Sequence, residues 1–232
     1  MHFLITNDDG IGAHGINALI EAARELGEVT VVAPDRHLSG CGHQTTTDRP
    51  LTATQVRPGE FAVDGTPADC VRVAVLKLVP KIDWVLSGIN EGGNLGVDVY
   101  MSGTVAAARE AMLLGLPAIA LSQYRKRGHA ADWKRSTRWA IETISQLIRM
   151  QPPEHAFWNV NFPDGELLKE PDTLQCLLEP HPLPIAFDER DGSFIYRSNY
   201  HERPRADGSD VDCCFSGNIA ITRVPHYRYL PK

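Results

Sequence analysis

The chain is predicted to be an α/β protein, a doubly wound, mostly parallel, Rossmann-like sheet with a β-rich C-terminal extension. Three observations carry this expectation. Short apolar runs alternate with stretches of helical period from the first residues to about residue 162. Those runs are uninterrupted, as in strands covered on both faces. Polar, glycine-rich turns follow several of them, at the carboxyl ends of strands where open α/β sheets bind ligands. We divide the chain into a catalytic core at 1–162 and an extension at 163–232 that serves oligomerisation.

The first strand is Phe3-Leu4-Ile5-Thr6, and the turn Asn7-Asp8-Asp9-Gly10-Ile11-Gly12 delivers it into a helix over about 13–26. Ile16, Leu19, Ile20 and Ala23 share one face of that helix, and Gly27 stops it. Val29–Ala33 is a β-branched strand that ends in the loop from Pro34 through Ser39 to Gly42. Phe61-Ala62-Val63 precedes a helix start at Thr66-Pro67, with Thr66 as cap and Pro67 at the first helical position. Asp83–Leu86 is the next strand and opens into Ser87–Gly96; a helix then runs from Ser102-Gly103-Thr104 to Leu114. Pro117–Leu121 is a strand, 133–150 an amphipathic helix and Phe157–Asn161 a strand. Beyond Pro163 prolines are frequent, and the runs at 174–178, 194–196 and 219–222 suggest β-hairpins.

Composition narrows the function. A formal charge of −6 argues against a nucleic-acid polymer as partner, since that needs a basic face. The five cysteines form no CxxC pair, and the adjacent Cys213-Cys214 reads as two half-buried strand residues. The nine histidines contain no HExxH, which disfavours a zinc hydrolase. Met1-His2-Phe3 enters the first strand directly, and the most apolar stretch, Ala111–Leu121, is too short for a bilayer. The expectation is a cytoplasmic protein with no membrane contact.

Asp8 and Asp9 place two adjacent carboxylates at a strand's carboxyl end. They repel each other unless a cation joins them, and hard cations such as Mg²⁺ commonly take one or two carboxylates beside substrate phosphate and water. Ser39 and Asn90, each in a post-strand loop, offer neutral oxygens suited to the same ion. Ser102-Gly103-Thr104, opening an alanine-rich helix, offers a candidate phosphate seat through its free N–H groups, hydroxyls and positive helix end, with a plain N-cap, the commoner use of Ser or Thr there, as the alternative. His37 and His43 flank the Ser39 loop without a clear catalytic role. A rival reading remains open here. Gly10, Gly12 and Gly15 spell GxGxxG between a strand and a helix, and Asp35 follows as a ribose-binding acid would, as in a nicotinamide-dinucleotide oxidoreductase. Two carboxylates beside a pyrophosphate weaken that reading. A third possibility is a non-catalytic nucleotide sensor with the same pocket.

Six motifs in order over about the first 120 residues resemble the survival protein SurE family: Asn7-Asp8-Asp9-Gly10; Pro34-Asp35-Arg36 with Ser39-Gly40; Gly65-Thr66-Pro67-Ala68-Asp69-Cys70; Ser87-Gly88-Ile89-Asn90; Gly93-Asn94-Leu95-Gly96; and Ser102–Ala107. The resemblance implies a divalent-metal-dependent phosphatase of nucleoside 5′- and 3′-monophosphates, with some activity on short polyphosphate. It implies one Mg²⁺ or Mn²⁺ per subunit and assembly as a homodimer or homotetramer. By motif position Asp8, Asp9, Ser39 and Asn90 are the metal ligands, with Asp8 and Asp9 catalytic. Asn94, Ser102, Gly103 and Thr104 are the phosphate-binding groups. The chain departs from the family at Cys41-Gly42-His43-Gln44, where Ala-Ser-Asn-Ser is common, and at Met101, where a tyrosine is common. His43 is expected to bear on base preference or pH dependence.

Overall fold

In the computed structural model, which describes residues 1–164, 169–197 and 199–226, the chain starts near the middle of its main sheet and winds outward twice. From β1 (His2–Thr6) it passes through α1 (His14–Arg24) to β2 (Glu28–Pro34). It then reaches the edge at β3 (Ala53–Arg57) and β4 (Glu60–Val63). A return through α2 (Pro67–Val73) and a π-helical turn, Ala74–Leu78, brings it to β5 (Trp84–Glu91) on the other side of β1. From there it winds outward through α3 (Gly103–Leu113), β6 (Ala118–Gln123), α4 (Trp133–Arg149) and β7 (Ala156–Phe162). The strands β4, β2, β1, β5, β6 and β7 are mutually parallel. The winding therefore reverses between β1 and β5, and the crevice at such a reversal is where doubly wound sheets take their ligands.

Burial explains the unbroken apolar runs. Along β1, Phe3 and Ile5 join the core under α1 and α4, with Ile16, Leu19, Trp139 and Ile144. Leu4 points the other way, into the core under α2 and α3 with Val71, Val85, Val105 and Phe157. Both faces are dry, so successive residues must both be apolar. The cap expected at Thr66 is present as a reciprocal pair: Thr66 Oγ1 accepts from the Asp69 amide at 3.2 Å, and Asp69 Oδ2 accepts from the Thr66 amide at 3.0 Å.

The C-terminal part differs from its expected hairpins. The stretch contributes β8 (Thr173–Cys176), β9 (Phe187–Arg190), β10 (Ser193–Tyr196), α5 (Asp210–Phe215) and β11 (Ile219–Pro225). Among the described residues only β9 and β10 form a hairpin in this stretch, as a separate two-stranded sheet. β11 instead adds antiparallel to β7 and carries β8 parallel on its far side, so both extend the main sheet. Cys213 and Cys214 lie in α5 rather than in a strand: Ser209 caps that helix, accepting from the Asp212 amide, and both cysteines are buried. β3 was not foreseen because all five of its residues are exposed and no apolar alternation marks it. Residues 165–168, 198 and 227–232 of the expected extension lie outside the described residues.

Two of the three glycines of the GxGxxG turn have local reasons. Gly10 has φ +95°, a backbone that side chains rarely adopt. At Gly15 a Cβ would collide with the carbonyl oxygen of Ile89 on β5, so α1 and β5 meet backbone to backbone there. Gly12 has open space around its would-be Cβ. Gly15→Ala is expected to lower stability in urea unfolding by about 1–3 kcal/mol, as overpacking does. Gly12→Ala, on the exposed turn, is expected to change it by less than about 0.5 kcal/mol.

Candidate active site

Asp8 leaves the end of β1 almost wholly withdrawn from water, at 3% exposure. Its carboxylate accepts the Thr104 hydroxyl in a short hydrogen bond, and its backbone carbonyl accepts from the Leu38 amide at 2.7 Å. The start of α3 closes over it: a Cβ on Gly103 would stand 2.9 Å from both Asp8 Cβ and Oδ2, so only glycine permits this approach. Burial pushes the Asp8 carboxyl above the ordinary carboxylate range. The Thr104 hydroxyl opposes that shift and the neighbouring Asp9 charge adds to it, and the net is a raised pKa.

Asp9 opens toward solvent. Its Oδ1 accepts the Ser39 hydroxyl at 3.3 Å and lies 3.3 Å from His37 Nδ1, while Oδ2 accepts the Glu91 amide at 3.3 Å. The loop after β2 and the end of β5 thus meet on one carboxylate. Asn90, next to Glu91, donates its amide to the Gly92 carbonyl at 2.8 Å, which leaves its amide oxygen as the group available to a cation. A cleft of about 420 Å³ opens here, lined by Asp9, His14, His37, Ser39 and Glu91 among others. A larger hollow of about 670 Å³ runs along α1, but it holds neither carboxylate of the acid pair, and two of its cations, Arg24 and Arg57, are paired to Glu60.

Ser102 caps α3, its hydroxyl oxygen accepting from the Val105 amide at 3.1 Å. The N–H groups of Gly103 and Thr104, at the first two helical positions, have no intrahelical acceptor by construction. The first of these residues, Gly103, packs directly on Asp8. The structure therefore brings Asp8, Asp9, Ser39 and the 102–104 turn together. Thr104 differs from expectation in one respect, since its hydroxyl is engaged by Asp8. Asn94 is pinned to the neighbouring strands instead. Its side-chain amide donates to Ser122 Oγ at 2.8 Å, its backbone N–H donates to Asn161 Oδ1 at 2.8 Å, and its carbonyl accepts from Asn159 and Asn161.

Several of these supports were missed in the sequence. Asn159 and Asn161 alternate on a strand buried throughout, and polar residues at period two on such a strand are the signal that was available. Cys41 packs against Gly103; burial and the Asp8 charge both push its thiol pKa up, so it stays a neutral thiol. His43 turns away from the acid pair toward α3. Its Nε2 is 2.7 Å from Glu110 Oε2, and Glu110 also accepts from Arg72 Nε at 2.6 Å. Burial alone would raise the Glu110 pKa, but these two partners outweigh it and hold it lowered. His43 therefore ties the Ser39 loop to α3, which gives no support to the expectation that it bears on base preference.

The donor set suits a hard divalent cation. Two carboxylates, a hydroxyl and an amide oxygen are all oxygen donors, and among the described residues no group of three or more His, Cys, Asp or Glu is placed to hold a metal ion. The chain is similar to known proteins along most of its length. The pattern of the survival protein SurE family matches residues 3–176. A Synechocystis sp. protein, provisionally named a 5′-nucleotidase, is 48% identical over 97% of this chain and 99% of its own. The 5′-nucleotidase SurE of Pelobacter propionicus is 50% identical over 71% of this chain and 66% of its own. The crystal structure of the SurE protein from Aquifex aeolicus superposes with a TM-score of 0.86 at 34% identity, covering 97% of this chain and 93% of that one.

The raised pKa of Asp8 has a consequence for stability. Because the folded state holds the Asp8 proton more tightly than the unfolded chain, any benefit is complete below the unfolded carboxylate pKa of about 3.9 and is lost as pH rises through the higher folded value. In metal-free protein, Asp8→Asn is therefore expected to raise the thermal unfolding midpoint at pH 7. The same substitution should leave it nearly unaltered at about pH 3, where Asp8 is protonated in both states.

Proposed function

The chain belongs to the SurE family of 5′-nucleotidases, and from that premise we propose that Asp8, Asp9, Ser39 and Asn90 hold one Mg²⁺ or Mn²⁺ per subunit at a phosphomonoesterase site. The observation that carries the proposal is the buried Asp8 beside Asp9 at the reversal of winding, with the start of α3 laid directly on it. Like charges so placed, one without water, favour a cation between them and an anion in front. The ion's contribution there would be to lower the pKa of a bound water and to offset the charge of the transferring phosphoryl group.

The chain's own groups divide the remaining work. Thr104 fixes Asp8 in one orientation through its short hydrogen bond. Of the two proposed catalytic carboxylates, Asp8 and Asp9, it is Asp9 that lines the cleft, which supports assigning it the proton transfer at the reacting oxygens. The Gly103 and Thr104 amides and the Ser102 hydroxyl bind the other phosphate oxygens, with the helix end adding positive potential. Asn94 shapes that seat from the sheet side, held by Ser122, Asn159 and Asn161. All of these groups address phosphate rather than sugar, which supports turnover of nucleoside 5′- and 3′-monophosphates and of short polyphosphate.

The same reading covers organisation and location. Residues 1–162 are the catalytic core, and the 163–232 extension contacts a second copy in a homodimer or homotetramer. Support for this comes from the hairpin β9–β10, which exposes Phe187, Phe194 and Tyr196. Five cysteines without a disulfide suit a reducing, cytoplasmic compartment. Among the described residues no helix is long and apolar enough to cross a membrane.

Phosphate release from AMP tests the proposal. Chelator treatment is expected to abolish release, and Mg²⁺ or Mn²⁺ to restore it. Asp9→Asn should lower kcat by about 10²-fold or more while the far-UV circular dichroism stays that of the wild type. Turnover that persists fully after chelation would remove the metal from the reading. AMP binding without release under either ion would reduce the protein to a sensor.

A further inference from the structure

The backbone turn that leads into the phosphate seat is held by side chains more than 100 residues further along the chain. In that turn Gly93 to Leu95 run as loop before a 3₁₀ stretch, Gly96–Tyr100, leads toward α3. The single Tyr200 hydroxyl proton is shared between the Gly93 carbonyl at 3.1 Å and Asp98 Oδ2 at 2.9 Å. Arg203, 3% exposed, donates one guanidinium nitrogen to Asp98 Oδ2 at 2.7 Å and the other to the Leu95 carbonyl at 3.1 Å. Asp98 Oδ2 also accepts the Leu95 amide at 3.1 Å. Asp210, at the start of α5, accepts the Gly96 amide at 2.8 Å and the Glu179 amide at 2.8 Å. At Gly96, with φ +54°, a Cβ would stand 2.9 Å from Glu179 Cβ, so the C-terminal segment is seated directly on the turn.

From Asp98 the contacts continue into the site without a gap. The Asp98 carbonyl accepts the Ser102 amide at 2.9 Å; Ser102 caps α3; and two residues on, Thr104 bonds Asp8. The geometry points to Arg203 as a positioning residue for the nucleotidase: its two-pronged contact with Asp98 and Leu95 sets where the Ser102–Thr104 phosphate seat stands. A guanidinium is needed because one planar group must reach a carboxylate and a carbonyl together, which a lysine ammonium on a flexible stem does not reproduce. Arg203 also lies 4.9 Å over the Tyr200 ring, which fixes its plane. This inference rests on reading 102–104 as the phosphate seat.

Arg203→Lys and Tyr200→Phe test it, each compared with wild type well below its own melting temperature. Two quantities are read: kcat/KM for AMP, and the calorimetric Kd of inorganic phosphate with Mn²⁺ present. With Arg203→Lys, kcat/KM is expected to fall at least about tenfold and phosphate Kd to rise by a similar factor, with wild-type circular dichroism. Tyr200→Phe, which keeps the ring and removes only the hydroxyl, should shift both quantities in the same direction by less. A generally loosened fold would lower the melting temperature without moving phosphate Kd in folded protein. Wild-type values of both quantities in folded Arg203→Lys would overturn the inference. Wild-type protein that binds phosphate but does not turn over AMP would overturn the catalytic reading alone, and phosphate Kd would still decide the role of Arg203. Wild-type protein that does neither would overturn both.

Discussion

Two carboxylates on consecutive residues, one almost wholly out of water, are costly to build at the end of a strand, and much of the surrounding chain holds them in place. Asp8 cannot be solvated because the helix start at Gly103 lies on it. Asp9 cannot swing away freely because Ser39 and the Glu91 amide both donate to it. Each of these contacts comes from the end of a different strand or the start of a helix. Only the reversal of winding between β1 and β5 brings them to one point. An arrangement that costs stability in metal-free protein is common at functional sites, where pKa values are displaced for a purpose.

The fold supports this point in layers. Gly15 lets α1 press on the backbone of β5 at Ile89, next to Asn90. The Ser39 loop is tied outward to α3 and α2, by His43 on Glu110 and by Thr46 on Asp69 at 2.7 Å through its hydroxyl. The turn before α3 is held from the sheet side by Asn159 and Asn161, and from the C-terminal segment by Tyr200, Arg203 and Asp210. The last two strands of the main sheet, β11 and β8, anchor that segment, so it belongs to the scaffold of the site. Buried hydrogen-bonded networks of this kind fix one arrangement when every partner is present.

The α/β core was legible because its physics is local. Val29–Ala33 and Pro117–Leu121 are apolar without alternation, and the Thr66-Pro67 start carries its own cap. The position of Asp8, Asp9 and Ser39 beyond strand ends was legible too, since strand ends converge in a doubly wound sheet, whereas Asn90 lies inside β5, which runs on to Glu91, rather than in the loop after it. The rest depends on pairings that no local pattern encodes. β3 has no buried face to reveal it, and β11, which begins at Ile219, pairs with β7, which ends at Phe162, far back along the chain. Cys213-Cys214 resembles a strand pair until Ser209 is recognised as a helix cap. Arg203 carries no motif in the sequence, because its role exists only where Asp98 has been brought to it.

The central claim is a single divalent cation between Asp8 and Asp9, and equilibrium binding of Mn²⁺ followed by electron paramagnetic resonance tests it most directly. The account predicts one Mn²⁺ per chain in the wild type, with binding lost or weakened at least about a hundredfold in Asp8→Asn and Asp9→Asn, a loss of roughly 2.7 kcal/mol. Unaltered stoichiometry and affinity in the double variant, or no Mn²⁺ bound by folded wild-type protein, would contradict it.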